Sequence, residues 1–500
     1  MRPALRAFVV ASLLLPAPAL RAGDSTVVVK NGSLRITAST GDDALTIDQA
    51  GIADPHVFRV APSGGSTVNG SAISQTFAGV KKDVLLDPGG GSDSIVVSIA
   101  RIPRDLKIAS AAIGALGVNL NTVTIGRDLT SDLPRTPIVL HPVFSRIGRD
   151  VQVRGSDQFD SLSFGVELVI GRDVRFDGRG DTDVLTLIHA AVGGRVTLAD
   201  SPGSDAVFVS SCTIDGALRV DDQTQETTAT LDFSTIGSLS IETGSLTDAV
   251  NLSRVVVRGK SLISLGGGGD AAQFSETSFG GPVRILTGAG GDFATLQDNC
   301  VLSGGAQIDL GSGDNQLTFM KSSSAKSLVI AGGSGKDTLT VQEAHVGGSL
   351  RLRAGDSPRG MDQAPLSLTS LRVDGSLELV AGNGTNVVSA VDSTIGDDVR
   401  MRFGAGDNEV HLLAVRGRNC RIDGGSGAET FELSGGCGWR GDTRIEAGAG
   451  DNELTIGDGT YRGDVTVRAG AGDDMLTVNA AAVIVGKRKI DLGAGTNTGP

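Results

Sequence analysis

The stretch AGGSGKDTLTV (residues 331–341) recurs as AGAGDNELTI (447–456) and AGAGDDMLTV (469–478), and this recurrence decides the fold. Each copy places a glycine-rich turn and an acid or amide before an apolar–polar–apolar triplet. An apolar residue followed by glycine recurs between the copies, as at Ile125-Gly126 and Ile147-Gly148. The repeats lie about 22 residues apart, and self-similarity at a fixed period of this size is typical of a solenoid.

Within one repeat the apolar residues alternate with a period of two. Residues 465–467, 476–478 and 483–485 each form such a run, so one coil contains three short strands. Glycine accounts for 72 of 500 residues, and 39% of the chain is apolar, which is enough for a continuous core. We therefore predict an all-β, single-chain, right-handed parallel β-helix with about 22 residues per coil and roughly 17 coils.

Three segments are expected along the chain. Residues 1–22 carry Arg2 and Arg6 before an apolar run and end at Ala22, as in a secretory signal peptide. Residues 23–105 are β-patterned but irregular and are predicted to form an N-terminal β-rich cap. Residues 106–500 are predicted to form the solenoid. The expected location is secreted, extracellular or at the cell surface, with the periplasm as an alternative.

The charge of the chain limits its partners. The formal net charge is −13, and removing the three arginines of residues 1–22 makes it −16. Such an acidic protein is a poor ligand for nucleic acid. No other apolar run approaches the roughly 18 residues that a membrane-spanning helix needs, so we expect no transmembrane segment after signal cleavage.

Four cysteines in an exported chain raise the question of disulfides. Cys212 and Cys300 lie 88 residues apart, which is four repeats, so they occupy one column on distant coils and cannot pair. Cys437 is expected in the same inward column. A Cys420–Cys437 disulfide is one alternative, and small buried thiols are the favoured one.

An acid or amide follows the glycine-rich turn in most repeats. Stacked coils would place these groups about 4.8 Å apart, where adjacent carboxylates repel. The column comprises Asp93, Asp157, Asp205, Asp270, Asp292, Asn315, Asp337, Asn386, Asn408, Glu429, Asn452, Asp474 and Asn497. Hydrogen bonds to the N–H groups of the turn, with amides interspersed among acids, would relieve the repulsion.

A bound cation is the second way to relieve it. Residues 332–340 (GGSGKDTLT) fit the nonapeptide G-G-x-G-x-D-x-U-x, and in this they resemble the RTX (hemolysin-type) calcium-binding proteins. In that family two nonapeptides occur per coil, whereas here one occurs per repeat, so the spacing departs from the family. The resemblance implies Ca²⁺ as a cofactor, held along the column by Asp205, Asp270, Asp292, Asp337 and Asp474. We favour the purely structural turn.

A second column contains arginines, each placed just after a landmark glycine. Aspartates follow the first three of them directly. The arginines are Arg127, Arg149, Arg172 and Arg195. A basic stripe for an acidic glycan is one interpretation, and a lattice of surface ion pairs between neighbouring coils is the favoured one.

Enzyme signatures are weak. The five histidines have no metal-ligand spacing, and no nucleophile elbow, H-E-x-x-H or P-loop occurs. The only charged cluster of interest is Asp356, Arg359 and Asp362, in an insertion at 355–376 of about seven extra residues. A Pro-rich segment at 129–146 is the second expected break in the period. A polysaccharide lyase or glycoside hydrolase on a β-helix scaffold is the alternative function.

The sequence as a whole favours an exported, non-catalytic β-solenoid. It resembles the repeat proteins of bacterial envelopes, which implies a surface or extracellular structural role, or that of an adhesin. Polysaccharides or cell-envelope components are the expected partners, and the uncapped appearance of the last repeat suggests end-to-end self-association.

Overall fold

The fold is a single parallel β-solenoid. The computed structural model describes residues 23–199, 203–223, 225–355 and 364–499. Over these residues the chain is all-β, has no helix, and forms about 18 turns spaced about 22 residues apart. The predicted parallel β-helix is confirmed. The signal-peptide prediction for residues 1–22 lies outside the described residues.

The first described strands differ from the rest because some of them pair antiparallel. Asp24–Lys30 pairs antiparallel with Ser33–Thr37 and parallel with Thr67–Val68. Phe58–Ser63 pairs antiparallel with both Ala44–Asp48 and Gln75–Phe77. Parallel stacking already includes Ser33–Thr37, which pairs with Val84–Asp87 one coil further on.

Each later coil contributes one strand to each of three parallel sheets. The first sheet follows the glycine-rich turn, the second is short, and the third leads into the next glycine-rich turn. Gly91–Ile102 and Gly114–Ile125 extend from the first sheet into the second, and Thr213–Asp222 and Thr235–Thr243 extend from the second into the third.

The strands of the first sheet, from the N-terminal end of the stack, are Ala44–Asp48, Gly91–Ile102, Gly114–Ile125, Ile138–Val143, Ser161–Phe164, Val184–Ile188, Asp205–Ser210, Thr227–Asp232, Ala249–Ser253, Ala271–Ser275, Phe293–Gln297, Gln316–Met320, Thr338–Gln342, Ala364–Thr369, Asn386–Val391, Glu409–Leu413, Thr430–Ser434, Glu453–Ile456 and Met475–Val478. The separate strands of the second sheet are Arg146–Ile147, Leu168–Ile170, Ala190–Val192, Val256–Val257, Ser278–Phe279, Val301–Leu302, Ser323–Ser324, His345–Val346, Arg372–Val373, Thr394–Ile395, Arg416–Gly417, Cys437–Trp439, Gly459–Tyr461 and Ala482–Ile484. The separate strands of the third sheet are Ser33–Thr37, Val84–Asp87, Leu106–Ala109, Leu129–Asp132, Val151–Arg154, Val174–Asp177, Val196–Ala199, Ser261–Ser264, Val283–Leu286, Ala306–Asp309, Leu328–Ala331, Leu350–Ala354, Leu377–Ala381, Val399–Arg402, Cys420–Asp423, Thr443–Glu446, Val465–Arg468 and Arg488–Asp491.

The core is a set of inward columns that run along the solenoid axis. Every second residue of a strand points inward, so Leu317, Leu339 and Leu366 stack in adjacent coils of the first sheet. All three are at most 4% exposed. The buried apolar residues form one continuous cluster that extends from Val27 to Leu476. The period-2 pattern of the sequence therefore supplies the core directly.

Glycines are required at two kinds of position. In the glycine-rich turns the backbone is left-handed, as at Gly288, whose φ is 104°. The landmark glycines are required for a different reason, because the backbones of adjacent coils come too close there for a side chain. A Cβ at Gly148 would lie 2.3 Å from the carbonyl oxygen of Gly126 in the preceding coil. The landmark therefore marks close backbone approach.

The corner between the first and second sheets is left-handed without glycine in most coils. Ile99, Phe144 and Lys321 have φ values of 44°, 49° and 49°. Equivalent corners recur coil after coil, and their side chains range from charged to aromatic. A left-handed residue other than glycine costs about 1–2 kcal/mol, so coil stacking must supply that free energy.

The structure corrects both predicted breaks in the period. The Pro-rich segment 129–146 keeps the normal spacing, because Leu116 pairs with Ile138 and Ile125 with Ile147. The insertion at 355–376 adds five residues and not seven, because Leu339 pairs with Leu366. The predicted cluster of Asp356, Arg359 and Asp362 lies outside the described residues.

Candidate functional site

The acids and amides after the glycine-rich turns line one buried column. Each side chain precedes the first inward residue of a first-sheet strand by two positions, and each is at most 6% exposed. The buried members are Asp43, Asp93, Asp160, Asp183, Asp205, Asp248, Asp270, Asp292, Asn315, Asp337, Asn386, Asn408, Glu429, Asn452 and Asp474. Because the exposed side of the turn is glycine-rich backbone, this column is shielded from solvent.

The assignment of Asp157 to the column is wrong. Asp157 is exposed, and Asp160 occupies the buried position. Asp43, Asp183 and Asp248 also belong to the column, although the glycine-turn motif did not predict them. The signal that identifies them is the distance to the first inward apolar residue: Asp160 precedes Leu162, and Asp248 precedes Val250.

In most coils one oxygen of the side chain accepts a hydrogen bond from the backbone of the preceding coil. The N–H of Asp248 donates to Oδ1 of Asp270 at 2.7 Å, and the N–H of Asp270 donates to Oδ1 of Asp292 at 2.9 Å. The same bond links Asp183 to Asp205 at 3.1 Å. These backbone-to-side-chain hydrogen bonds form three runs, over residues 138–205, 227–337 and 408–497, and within each run they separate successive side chains of the column.

The two remaining predicted metal ligands lie beside amides. Oδ1 of Asp337 accepts from both the backbone N–H and Nδ2 of Asn315, at 3.3 and 3.0 Å. Oδ1 of Asp474 accepts from the same two groups of Asn452, at 3.1 and 2.7 Å. The five predicted ligands therefore lie in one column. Only Asp270 and Asp292 lie on adjacent coils, and the others are separated by at least one intervening coil.

The second polar atom distinguishes amides from acids. Nδ2 of Asn315 donates to the carbonyl oxygen of Gly313 at 3.1 Å, and Nδ2 of Asn452 donates to that of Gly450 at 2.7 Å. The same G-x-G-x turn precedes Asp292, whose buried Oδ2 has no hydrogen-bond partner in the described chain. The same holds for Oδ2 of Asp248, Asp270, Asp337 and Asp474. A protonated carboxyl oxygen in this position can donate to a main-chain carbonyl as the amide does, whereas an ionised one cannot.

Six acids of the column have raised pKa values. Burial raises the pKa of Asp270 to about 7, and the charges of Asp248 and Asp292 on the adjacent coils add to this, against the hydrogen bond from Asp248. Burial likewise raises the pKa of Asp93 and Glu429 to about 7. It raises the pKa of Asp160, Asp248 and Asp337 to about 6. Desolvation disfavours the charged form, so these six acids hold protons well above the usual range of a carboxyl group.

Calcium fits this donor set less well than a proton does. Ca²⁺ takes about six to eight oxygen ligands, and carboxylate and carbonyl oxygens are of the correct type. An acidic coil supplies one carboxyl group to the column, however, and one oxygen of that group already accepts a backbone N–H at Asp270 and Asp292. Asn315 and Asn452 also point an amide N–H at the position that a cation would need. Calcium along the column stays a prediction.

Three of the four arginines in the second column form the expected lattice of ion pairs, and Arg195 has no ion pair within the described residues. Arg149 pairs with Asp128 of the preceding coil at 2.9 Å. Arg127 pairs with Asp105, and Arg172 with Asp150, both at 3.5 Å. These arginines are thus neutralised from coil to coil.

All four cysteines are buried free thiols. The register places Cys212, Cys300 and Cys437 in one corner column, as predicted, and Cys420 lies in the third sheet. Burial raises the pKa of Cys212, Cys300 and Cys437. They are core side chains with little thiolate character.

Nothing in the described part of the chain has the form of a membrane-crossing helix. Comparisons with known proteins give no family assignment: no family model, no curated protein and no solved structure matches the chain.

Proposed function

We propose that this chain is an exported, non-catalytic β-solenoid that serves as a structural or adhesin-like element at a cell surface or in the extracellular space. One observation carries the proposal: a single hydrophobic core runs through about 18 turns. At about 4.8 Å per turn, such a stack is roughly 85 Å long. Nearest-neighbour stacking gives a stiff rod with long side faces, which suits a spacer or a display surface.

The uses of the repeated polar residues support a structural role. The buried acids and amides bind the backbone of adjacent coils, and Arg127, Arg149 and Arg172 bind aspartates of adjacent coils. Both sets of contacts stabilise stacking. The most regular polar features of the chain are thus accounted for without a reaction.

Export rests on the pattern of residues 1–22 and is tested directly. We expect the full chain, expressed in a Gram-negative host, to leave the cytoplasm and to begin at Gly23 after processing. N-terminal sequencing of the exported protein measures this. Cytoplasmic retention with residues 1–22 intact would contradict the export part of the proposal.

The non-catalytic part is tested with a panel of acidic and neutral polysaccharides. We expect no release of shortened chains or of unsaturated sugars after prolonged incubation with the mature protein. Size-exclusion chromatography of the polysaccharide and ultraviolet absorbance measure the two products. Reproducible depolymerisation would establish the alternative, a lyase or hydrolase.

A further inference from the structure

A groove with an unusual charge lies on the outer face of the third sheet. It has a volume of about 1110 Å³. Its basic residues are Arg195, Arg219, Lys260, Arg284 and Lys326, all exposed. Glu242 is the only acidic residue that lines it. We call it the cationic groove.

Small residues create the depression. In the next two coils, Ala217 and Ser238 occupy the position that corresponds to Arg195. Gly304 and Gly305 line the groove further along the stack. Where these coils lack long outward side chains, the surface falls below the level of the flanking arginines and lysines. The groove therefore follows the register of the stacked coils.

The charge of the groove is not neutralised. Arg219 pairs with Asp221 at 2.7 Å. The other four cations have no ion pair within the described residues, in contrast to the paired Arg127, Arg149 and Arg172. Glu242 accepts a hydrogen bond from Ser240 at 3.0 Å. Four free positive charges in one groove of a protein with a net charge of −13 are a local reversal of sign.

The groove also offers neutral hydrogen-bonding groups. Ser238, Gln307 and Ser327 line it beside the cations. Hydroxyl and amide groups interleaved with cations suit a ligand that carries both hydroxyl and carboxylate or sulfate groups.

The length of the groove indicates a polymer. The strands next to Arg195 and Lys326 begin at Val196 and Leu328, which are six register steps apart. At about 4.8 Å per step, the cations extend over about 29 Å along the axis. A single small anion would contact only one or two of them.

We propose that the cationic groove binds an acidic polysaccharide, lying along the solenoid axis. The proposal rests on the proposed function, for which it names the partner. No aromatic residue lines the groove, so the stacking platforms by which proteins hold single-stranded nucleic acids are absent from it.

The test uses the mature protein and three immobilised probes: polygalacturonate, dextran and a single-stranded DNA oligonucleotide. We expect salt-sensitive binding to polygalacturonate and none to dextran. The variant Lys260→Gln/Arg284→Gln/Lys326→Gln should bind polygalacturonate on the order of tenfold more weakly, because it loses three direct ionic contacts.

The matched control is Arg351→Gln/Arg372→Gln/Arg400→Gln, which removes the same charge from exposed arginines already paired with carboxylates. We expect it to change the affinity by less than about twofold. Unchanged far-ultraviolet circular dichroism confirms that both variants fold. No binding by the parent, equal loss in both variants, or tighter binding of DNA would each overturn the proposal. None of these results bears on export or on the absence of catalysis.

Discussion

Replacing Asp270 with Asn should stabilise the solenoid at alkaline pH and leave it unchanged in mild acid. Asp270 is fully buried, its Oδ1 accepts the N–H of Asp248, and its Oδ2 has no partner. Asn315, two coils further along the column, shows what an amide does in such a turn, since its Nδ2 donates to the carbonyl of Gly313. An amide at position 270 would donate to a carbonyl of its own turn in the same way, and it would do so at every pH.

The magnitude follows from proton linkage. The pKa of Asp270 is about 7 in the folded chain, against 3.8 for an unperturbed carboxyl. Between these values the folded state holds a proton that the unfolded state has released. The free energy of unfolding therefore falls by about 1.4 kcal/mol per pH unit as the pH rises from about 4 to 7. Between pH 5 and pH 8 the parent loses about 3 kcal/mol at this one position, and the Asn variant does not.

The assay is local because a long repeat array does not unfold in one step. Hydrogen exchange at the N–H of Asp248, which donates to residue 270, reports the opening of that coil. We expect stronger protection in Asp270→Asn than in the parent at pH 8, and equal protection at pH 5, after correction for intrinsic exchange rates.

The mirror variant Asn315→Asp provides the control. This variant should make local stability at position 315 depend on pH. Protection against hydrogen exchange should be lost at pH 8 and kept at pH 5. The reasoning is refuted if Asp270→Asn is no better protected than the parent at pH 8, or if Asn315→Asp shows no pH dependence. Stabilisation of the parent by millimolar CaCl₂, lost in Asp270→Asn, would assign the column to calcium instead.

Four further outcomes are expected. Chelation by EDTA should leave the thermal melt of the parent unchanged, and a large drop in Tm would establish calcium-dependent folding. Gly288→Ala should destabilise its coil by about 3 kcal/mol or more in denaturant unfolding, since the new Cβ would lie 1.6 Å from the carbonyl oxygen of Gly266 at a φ of 104°; a neutral effect would contradict the turn geometry. Ile99→Asn should raise stability by roughly 1 kcal/mol, because asparagine tolerates the left-handed corner and the isoleucine side chain is 57% exposed; a lower Tm would argue against strain there. Arg149→Ala should cost less than about 1 kcal/mol despite its 2.9 Å pair with Asp128, and a larger loss would mean that the lattice acts cooperatively.

The parts of the fold that follow from side-chain chemistry were predictable. The period-2 alternation around residues 338–342 gives the inward columns, and the apolar–glycine landmarks give the close approach of coils. The buried acid column was mostly predictable too. The prediction was wrong at Asp157 because it placed the acid by its distance from the glycine turn. Burial depends instead on the distance to the next inward apolar residue, and this distance selects Asp160.

The features that were missed depend on the backbone or on contacts between coils. The left-handed corners occur at Ile99, Phe144 and Lys321, which share no side-chain chemistry, so no sequence motif marks them. The orientation of Oδ1 toward the preceding coil, and the isolation of Oδ2, depend on coil stacking and not on the turn alone. The cationic groove combines cations up to 131 positions apart, from Arg195 to Lys326, and it becomes visible only when the register is known.

The left-handed corners have a consequence for how this chain can change over time. Stacking dictates the backbone there but leaves the identity of the exposed side chain open, so the corners form a row of positions about 4.8 Å apart that tolerate almost any residue. Selection can therefore alter that row without disturbing the core. In protein engineering, this row of corner positions would allow charges, dyes or binding groups to be attached at a fixed spacing along a rigid rod.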